Sequence, residues 1–162
     1  MKGRVLNIKK TTILRLSFIL SIILFVSASV LGGVFLEDKN TWFFFFCFFV
    51  GCHSLIKSAL FHLDSSCLFG HVLFYIGIFY FYCIWFDIIK FLPVFILLSF
   101  AVGCFFTHCI FDRPFQLFLS FSIFFVDVGL LLLIINLISF WIFLAIIVFS
   151  VLLLVVRFFT IK

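Results

Sequence analysis

Apolar side chains fill most of the chain, and short breaks of polar residues and proline divide them into stretches of about twenty residues. A membrane-spanning helix needs about 20 apolar residues, because each residue rises 1.5 Å and the hydrocarbon core is about 30 Å thick. The pattern therefore predicts an all-α, polytopic membrane helix bundle. Its six spans cover residues 13–36, 41–61, 67–86, 91–111, 115–135 and 138–158.

The boundaries of these spans follow from the polar breaks. The first four breaks are Glu37-Asp38-Lys39-Asn40, residues 62–66, Asp87 and Asp112-Arg113-Pro114. Pro114 suits the first turn of the fifth span, where a backbone N–H has no helical partner in any case. The last apolar run, 115–159, is too long for one helix. We therefore divide it at residues 136–139.

Composition supports this interpretation. The chain has 162 residues, of which 67% are apolar and 10% charged, against roughly 45–50% and 25% in globular proteins. A soluble fold built on a single core is therefore excluded. Six spans take about 120 residues, and the remainder is too short for a separate domain of about 50 residues. We expect residues 1–162 to form a single integral membrane domain.

Basic residues predict the orientation, because short loops rich in lysine and arginine stay on the cytoplasmic side. With the N-terminus inside, nine basic residues lie inside and only Lys39 and Lys90 lie outside. The nine are Lys2, Arg4, Lys9, Lys10, Arg15, Lys57, Arg113, Arg157 and Lys162. This distribution predicts cytoplasmic termini and three successive hairpins. The net charge of +5 is then a topological signal that also favours anionic lipids, and not a nucleic-acid-binding surface.

A cleaved secretory signal is an alternative for the first span. Basic residues precede the apolar stretch 16–26, and the small residues Ser27-Ala28-Ser29 follow it, as at a signal-peptide cleavage site. The apolar run nevertheless continues to Leu36, which favours a retained span.

Small residues predict where helices approach closely, since helix packing in lipid depends on close backbone contact. One such seam follows a single face of span one and consists of Ser17, Ser21, Ala28 and Gly32. Gly70 and Gly77, seven residues apart, form a second seam on span three. Span six has almost no polar or small residue besides Ser150. We therefore expect span six at the lipid-facing edge of the bundle.

The most informative polar residue within a span is Asp127. It lies about 18 Å from the inner boundary of span five at 1.5 Å per residue, and a charge at mid-membrane costs about 2.5–3.5 kcal/mol. Gln116 and Ser120 share its helical face, at offsets of 11 and 7 residues. An ionisable residue at this depth indicates a functional site, because such residues are rare in spans.

Two further spans carry polar stripes. Span two has His53 and Lys57 one turn apart, and span three has His71, Tyr75 and Tyr82 on one face. Turned toward a shared interior, the three stripes would form either a small proton or solute path or a structural hydrogen-bond network. Lys57 lies about 6 Å from the cytoplasmic boundary and can extend its ammonium group out of the membrane.

Metal, cofactor and catalytic sites are not expected. The C-x2–4-C and H-x3–5-H spacings of zinc sites are absent from the sequence, and cysteines five apart point to different helix faces. No phosphate-binding loop, G-x-S-x-G or H-E-x-x-H motif occurs. Charged residues beside the spans, such as Asp64 and Asp112, are typical of helix ends. We therefore predict that the protein is not an enzyme.

The layout resembles a known family. Three short hairpins with both ends inside, together with the Gly70-x6-Gly77 spacing, look like the HdeD-like small bacterial membrane proteins. That resemblance implies a six-helix bundle with a role in acid stress and assigns no functional residue to this chain. Size and topology are also similar to the six-span substrate-binding subunits of vitamin importers. Within the chain, a C-F-F-x-x-C string recurs after 57 residues, at Cys47 and Cys104.

These observations leave three hypotheses for function. The first is a structural, accessory or stress-related protein of the bacterial cytoplasmic membrane, with an organellar inner membrane as the alternative location. The second is a small transporter or proton-handling subunit that uses Asp127. The third is a hydrophobic subunit of a respiratory-type complex. The expected partners are membrane lipids and either a second copy or another membrane protein.

Overall fold

The computed structural model describes residues 2–35 and 41–160, with side-chain surroundings for residues 9–30 and 42–160. Its described part contains six α-helices, each long and apolar enough to cross a membrane. They are α1 (Lys2–Phe35), α2 (Thr41–Phe61), α3 (Asp64–Trp85), α4 (Leu92–Phe111), α5 (Pro114–Ile134) and α6 (Phe140–Thr160). The prediction of an all-helical protein with six membrane-spanning helices is thereby confirmed.

Helix ends lie close to the predicted boundaries. The break within the last apolar run is confirmed, since α5 ends at Ile134 and α6 begins at Phe140. Helix α3 begins three residues earlier than predicted, at Asp64, whose carboxylate accepts a hydrogen bond of 2.8 Å from the N–H of Ser65. An acidic residue is favourable there because it faces the positive end of the helix dipole. The predicted break at residues 37–40 lies outside the described residues.

Each turn that follows α2, α3, α4 and α5 contains one non-glycine residue in the left-handed conformation. These residues are His62, Asp87, Asp112 and Asn136, with φ between 50° and 59°. Short polar side chains tolerate this conformation better than others because they hydrogen-bond locally to the backbone. The residues that interrupt the apolar pattern thus also have the backbone preference that ends a helix.

This geometry predicts a selective response at Asn136. Replacement by valine, which disfavours positive φ, should lower the free energy of unfolding by about 1–2 kcal/mol. Replacement by glycine should leave it unchanged or slightly higher. Denaturant titration in detergent micelles would measure both, with Leu137→Val as the control, because Leu137 is 69% exposed and has no positive φ. Equal losses for Asn136→Val and Leu137→Val would contradict the prediction.

The described helices form two compact units, the first reaching Phe81 and the second beginning at Tyr82. In the first unit, α2 contacts α3 through glycines. A Cβ atom on Gly51 would lie 2.7 Å from the backbone nitrogen of Phe74, and one on Gly70 would lie 2.9 Å from that of Leu55. Gly77 approaches Cys47 equally closely. The predicted seam of Gly70 and Gly77 is confirmed, and Gly51 supplies its counterpart on α2.

Helix α1 also contacts α2, but less closely. Ser17 lies 3.3 Å from the ring of His53, and Ser21 borders a cavity between the two helices. These two residues of the predicted seam on span one therefore face α2, whereas the surroundings of Gly32 lie outside the described part. None of the residues from Lys9 to Val30 is buried.

In the second unit, α5 contacts both α4 and α6. The hydroxyl of Ser120 donates a hydrogen bond of 2.7 Å to the carbonyl oxygen of Ala101 on α4. On the other side, Gly129 approaches Phe143 of α6, and the guanidinium of Arg157 lies 4.7 Å from the ring of Phe118. Ser150 is the one buried residue of α6. This exposure agrees with the predicted position of span six at a lipid-facing edge.

Candidate functional site

Asp127 is the acidic residue that the structure buries within a helix. Its side chain is 4% exposed, and it lies 13 residues after Pro114, the first residue of α5. At 1.5 Å per residue it is about 20 Å from that end of the helix. The structure therefore agrees with the depth inferred from the sequence.

The side of α5 that carries Asp127 follows from helical periodicity. Ser120, seven residues earlier, shares its face and donates to the backbone of α4. Ser122 and Gly129 lie on the opposite face, and Gly129 contacts α6. The carboxyl is thus on the side of α5 that packs against α4, as the predicted stripe with Gln116 requires.

The hydrogen bonding of Asp127 differs from that of the buried hydroxyls. Ser99 donates to the carbonyl oxygen of Phe95 and Thr107 to that of Gly103, each one turn earlier. By contrast, Oδ1 of Asp127 has no hydrogen-bond partner within residues 9–30 and 42–160, for which side chains are described. Gln116 Oε1, on the same stripe, is also unpartnered there. A buried acceptor without a donor is unfavourable by about 1–3 kcal/mol.

A cavity of about 360 Å³ lies beside this stripe, between α4 and α5. It is lined by Leu98, Ala101, Val102, Phe105, Phe106, Ser120, Phe121 and Phe124. Ser120 is its hydroxyl-bearing wall residue. The cavity therefore provides space next to the middle of the stripe formed by Gln116, Ser120 and Asp127.

The predicted stripe on α2 divides between surroundings. His53 faces α1, where its ring centroid lies 5.2 Å from that of Phe18. Lys57 is exposed, in keeping with an ammonium group that reaches the membrane boundary. Ser58 is buried and donates a hydrogen bond of 2.9 Å to the carbonyl oxygen of Leu63 in the following turn. The histidine and the lysine do not share a buried site.

On α3, His71 and Tyr75 stack with ring centroids 6.2 Å apart and planes 14° apart. Tyr82 lies in the second unit, where it is 46% exposed and its ring centroid lies 4.4 Å from that of Phe86. The structure brings His71 and Tyr75 together as the spacing predicts. A convergence of the stripes of α2, α3 and α5 involves both units and stays a prediction.

Histidine and cysteine form no apparent ion-binding group. Within the described residues, no three His, Cys, Asp or Glu side chains are arranged to hold a metal ion. The six cysteines are free, and four of them are buried. Buried free cysteines act as small apolar residues in helix packing, as Cys47 does against Gly77.

Several structurally important residues were not singled out from the sequence as site residues. Ser122 is buried on the α6 face of α5, and Ser150 Oγ is buried without a partner within the described part. Gly51 makes the closest described approach to a neighbouring backbone. A search for small residues repeated along each apolar helix would have identified all three.

No protein-family model, curated protein or solved structure matches the chain.

Proposed function

We propose that this multi-pass membrane protein handles protons through Asp127. The observation that supports the proposal is the buried carboxyl oxygen, which has no donor or counter-charge within the described residues. A carboxylate in hydrocarbon is stabilised by a bound proton, a cation or a set of donors. Since donors are missing, a proton taken up and released is the simplest ligand for this group.

The route to Asp127 is the polar stripe on the α4 side of α5. Gln116, near the first turn of α5, offers an unpartnered oxygen, and Ser120 follows one turn later. Ser120 borders the cavity between α4 and α5, which has room for water. Asp127 lies about 10 Å beyond Ser120 along the helix axis. Water in that space would link the two levels.

The proposed orientation places both termini in the cytoplasm, with the spans forming three hairpins. It rests on the nine basic residues of the inner segments against two in the outer segments. Gln116 then lies at the cytoplasmic end of the stripe, and Asp127 lies beyond the midplane. The proposed location is a bacterial cytoplasmic membrane, where an HdeD-like role in acid stress would be consistent with proton handling.

Proton flux through reconstituted protein tests this function. In liposomes with an imposed potential and an internal pH dye, Asp127→Asn should lower the flux at least about tenfold. The matched control is Asp112→Asn, since Asp112 is exposed and asparagine keeps its left-handed turn. We expect this control to retain wild-type flux.

Two results would contradict the proposal. The first is a wild-type flux no faster than that of empty liposomes. The second is an Asp127→Asn variant as fast as the wild type.

A structural or accessory role is the alternative function. It is supported by the buried hydroxyls that bond to main-chain carbonyls, such as those of Ser58, Ser99 and Ser120, since these groups serve helix packing. Under this alternative, Asp127 would contribute to folding and the liposome assay would register no flux. Chemistry on a substrate is not proposed.

A further inference from the structure

A second cavity lies in the first unit, between α1 and α2. Its volume is about 270 Å³. It is lined by Phe18, Ser21, Ile22, Phe25, Phe46, Phe49, Val50 and His53. Four phenylalanine rings and two aliphatic side chains form most of its wall. An apolar cavity of about 150 Å³ already accommodates benzene, so this one has room for a ligand of one or two rings.

The polar groups of the cavity have a defined hydrogen-bonding character. The hydroxyl of Ser17 donates its only proton to the carbonyl oxygen of Leu14, at 2.8 Å. In its contact of 3.3 Å with His53 Nδ1, Ser17 must therefore accept, and the proton lies on Nδ1. A neutral histidine protonated at Nδ1 has an unprotonated Nε2, which is a hydrogen-bond acceptor.

Ser21 has the same character. Its hydroxyl donates to the carbonyl oxygen of Ser17, at 2.8 Å, so that its oxygen is left to accept. The cavity wall thus offers two acceptors, His53 Nε2 and Ser21 Oγ, and its other lining side chains are hydrocarbon. A complementary ligand supplies a hydrogen-bond donor on an apolar ring, and carbonyl or carboxylate groups would meet no donor.

We propose that the cavity between α1 and α2 binds a lipid-soluble aromatic alcohol, a phenol or a hydroquinone, whose hydroxyl donates to His53. The phenylalanine rings would pack against the aromatic ring, as offset or edge-to-face contacts favour. Such a ligand would enter from the lipid, because α1 has no buried residue between Lys9 and Val30. This site is independent of Asp127 and of the proposed proton handling.

Binding of two matched probes tests the proposal. The probes are 2-naphthol and 2-methoxynaphthalene, which share their rings but differ in the donor. Equilibrium dialysis with protein in nanodiscs, after subtraction of empty nanodiscs, should give saturable 2-naphthol binding about tenfold tighter than that of the ether. One buried hydrogen bond accounts for a preference of that size.

Two variants make the test specific. His53→Phe keeps an aromatic ring but removes the acceptor, so it should bind the two probes equally, by weakening 2-naphthol about tenfold. Its retained binding of the ether would verify an intact cavity. His71→Phe, the same change on α3 outside the cavity lining, should preserve the wild-type preference.

Three outcomes would overturn the proposal. Equal binding of both probes to the wild type would indicate an apolar cavity filled without regard to hydrogen bonding, as by an acyl chain. Binding no greater than that of empty nanodiscs would exclude the site. A His53→Phe variant that still prefers 2-naphthol would remove His53 from it.

Discussion

Replacing Asp127 with leucine should stabilise the protein, raising its free energy of unfolding in detergent micelles by about 1–3 kcal/mol. The physical reason is the buried Oδ1 atom, which has no hydrogen-bond donor within the described residues and is unfavourable by that amount. Leucine would remove this acceptor and add apolar contacts with neighbouring helices. A gain in stability together with a loss of flux is the expected signature of a residue retained for activity.

Two further variants make this measurement decisive. Asp127→Ala avoids any overpacking by the larger leucine and should also not destabilise the fold. Val128→Leu adds a methylene group on the same helix at a side chain that is 38% exposed, and should leave stability unchanged. A loss of more than about 1 kcal/mol in both Asp127 variants would identify the carboxyl as a structural contact, as the accessory hypothesis requires.

The substitution Gly51→Ala should destabilise the first unit by about 3 kcal/mol. Its Cβ would meet the backbone nitrogen of Phe74 at 2.7 Å and the carbonyl oxygen of Gly70 at 3.0 Å. Backbone atoms cannot rotate away as a side-chain end can, so α3 would have to move from α2. The overpacking cost then exceeds the gain of about 1 kcal/mol that alanine brings to a helix.

Gly129→Ala is the matched control for this prediction. Here the added Cβ would meet only side-chain atoms of Phe143 and Ile146, at 3.1 Å or more. These side chains can adjust by a few tenths of an ångström, so the change in unfolding free energy should remain within about 1 kcal/mol. Denaturant titration of both variants measures the difference. Equal effects would mean that the α2–α3 contact is no tighter than the α5–α6 contact.

The sequence by itself determined the number of helices and most of their ends. Apolar runs of about 20 residues match the thickness of the hydrocarbon core, and that requirement is independent of tertiary contacts. The polar breaks were equally informative, because residues such as Asp112 and Asn136 both interrupt the apolar pattern and adopt the left-handed turn. Asp127 was recognisable for the same reason, since a charge in a long apolar run is conspicuous.

Only the tertiary structure decided which face of each helix meets which neighbour. In a chain with 31 phenylalanines nearly every face is apolar, so the rotation of a helix about its axis is not encoded by an amphipathic pattern. Close backbone approach decides it, as at Gly51 and Gly70. That packing turns His53 toward Ser17 and leaves Lys57 exposed, although the two residues lie one helical turn apart.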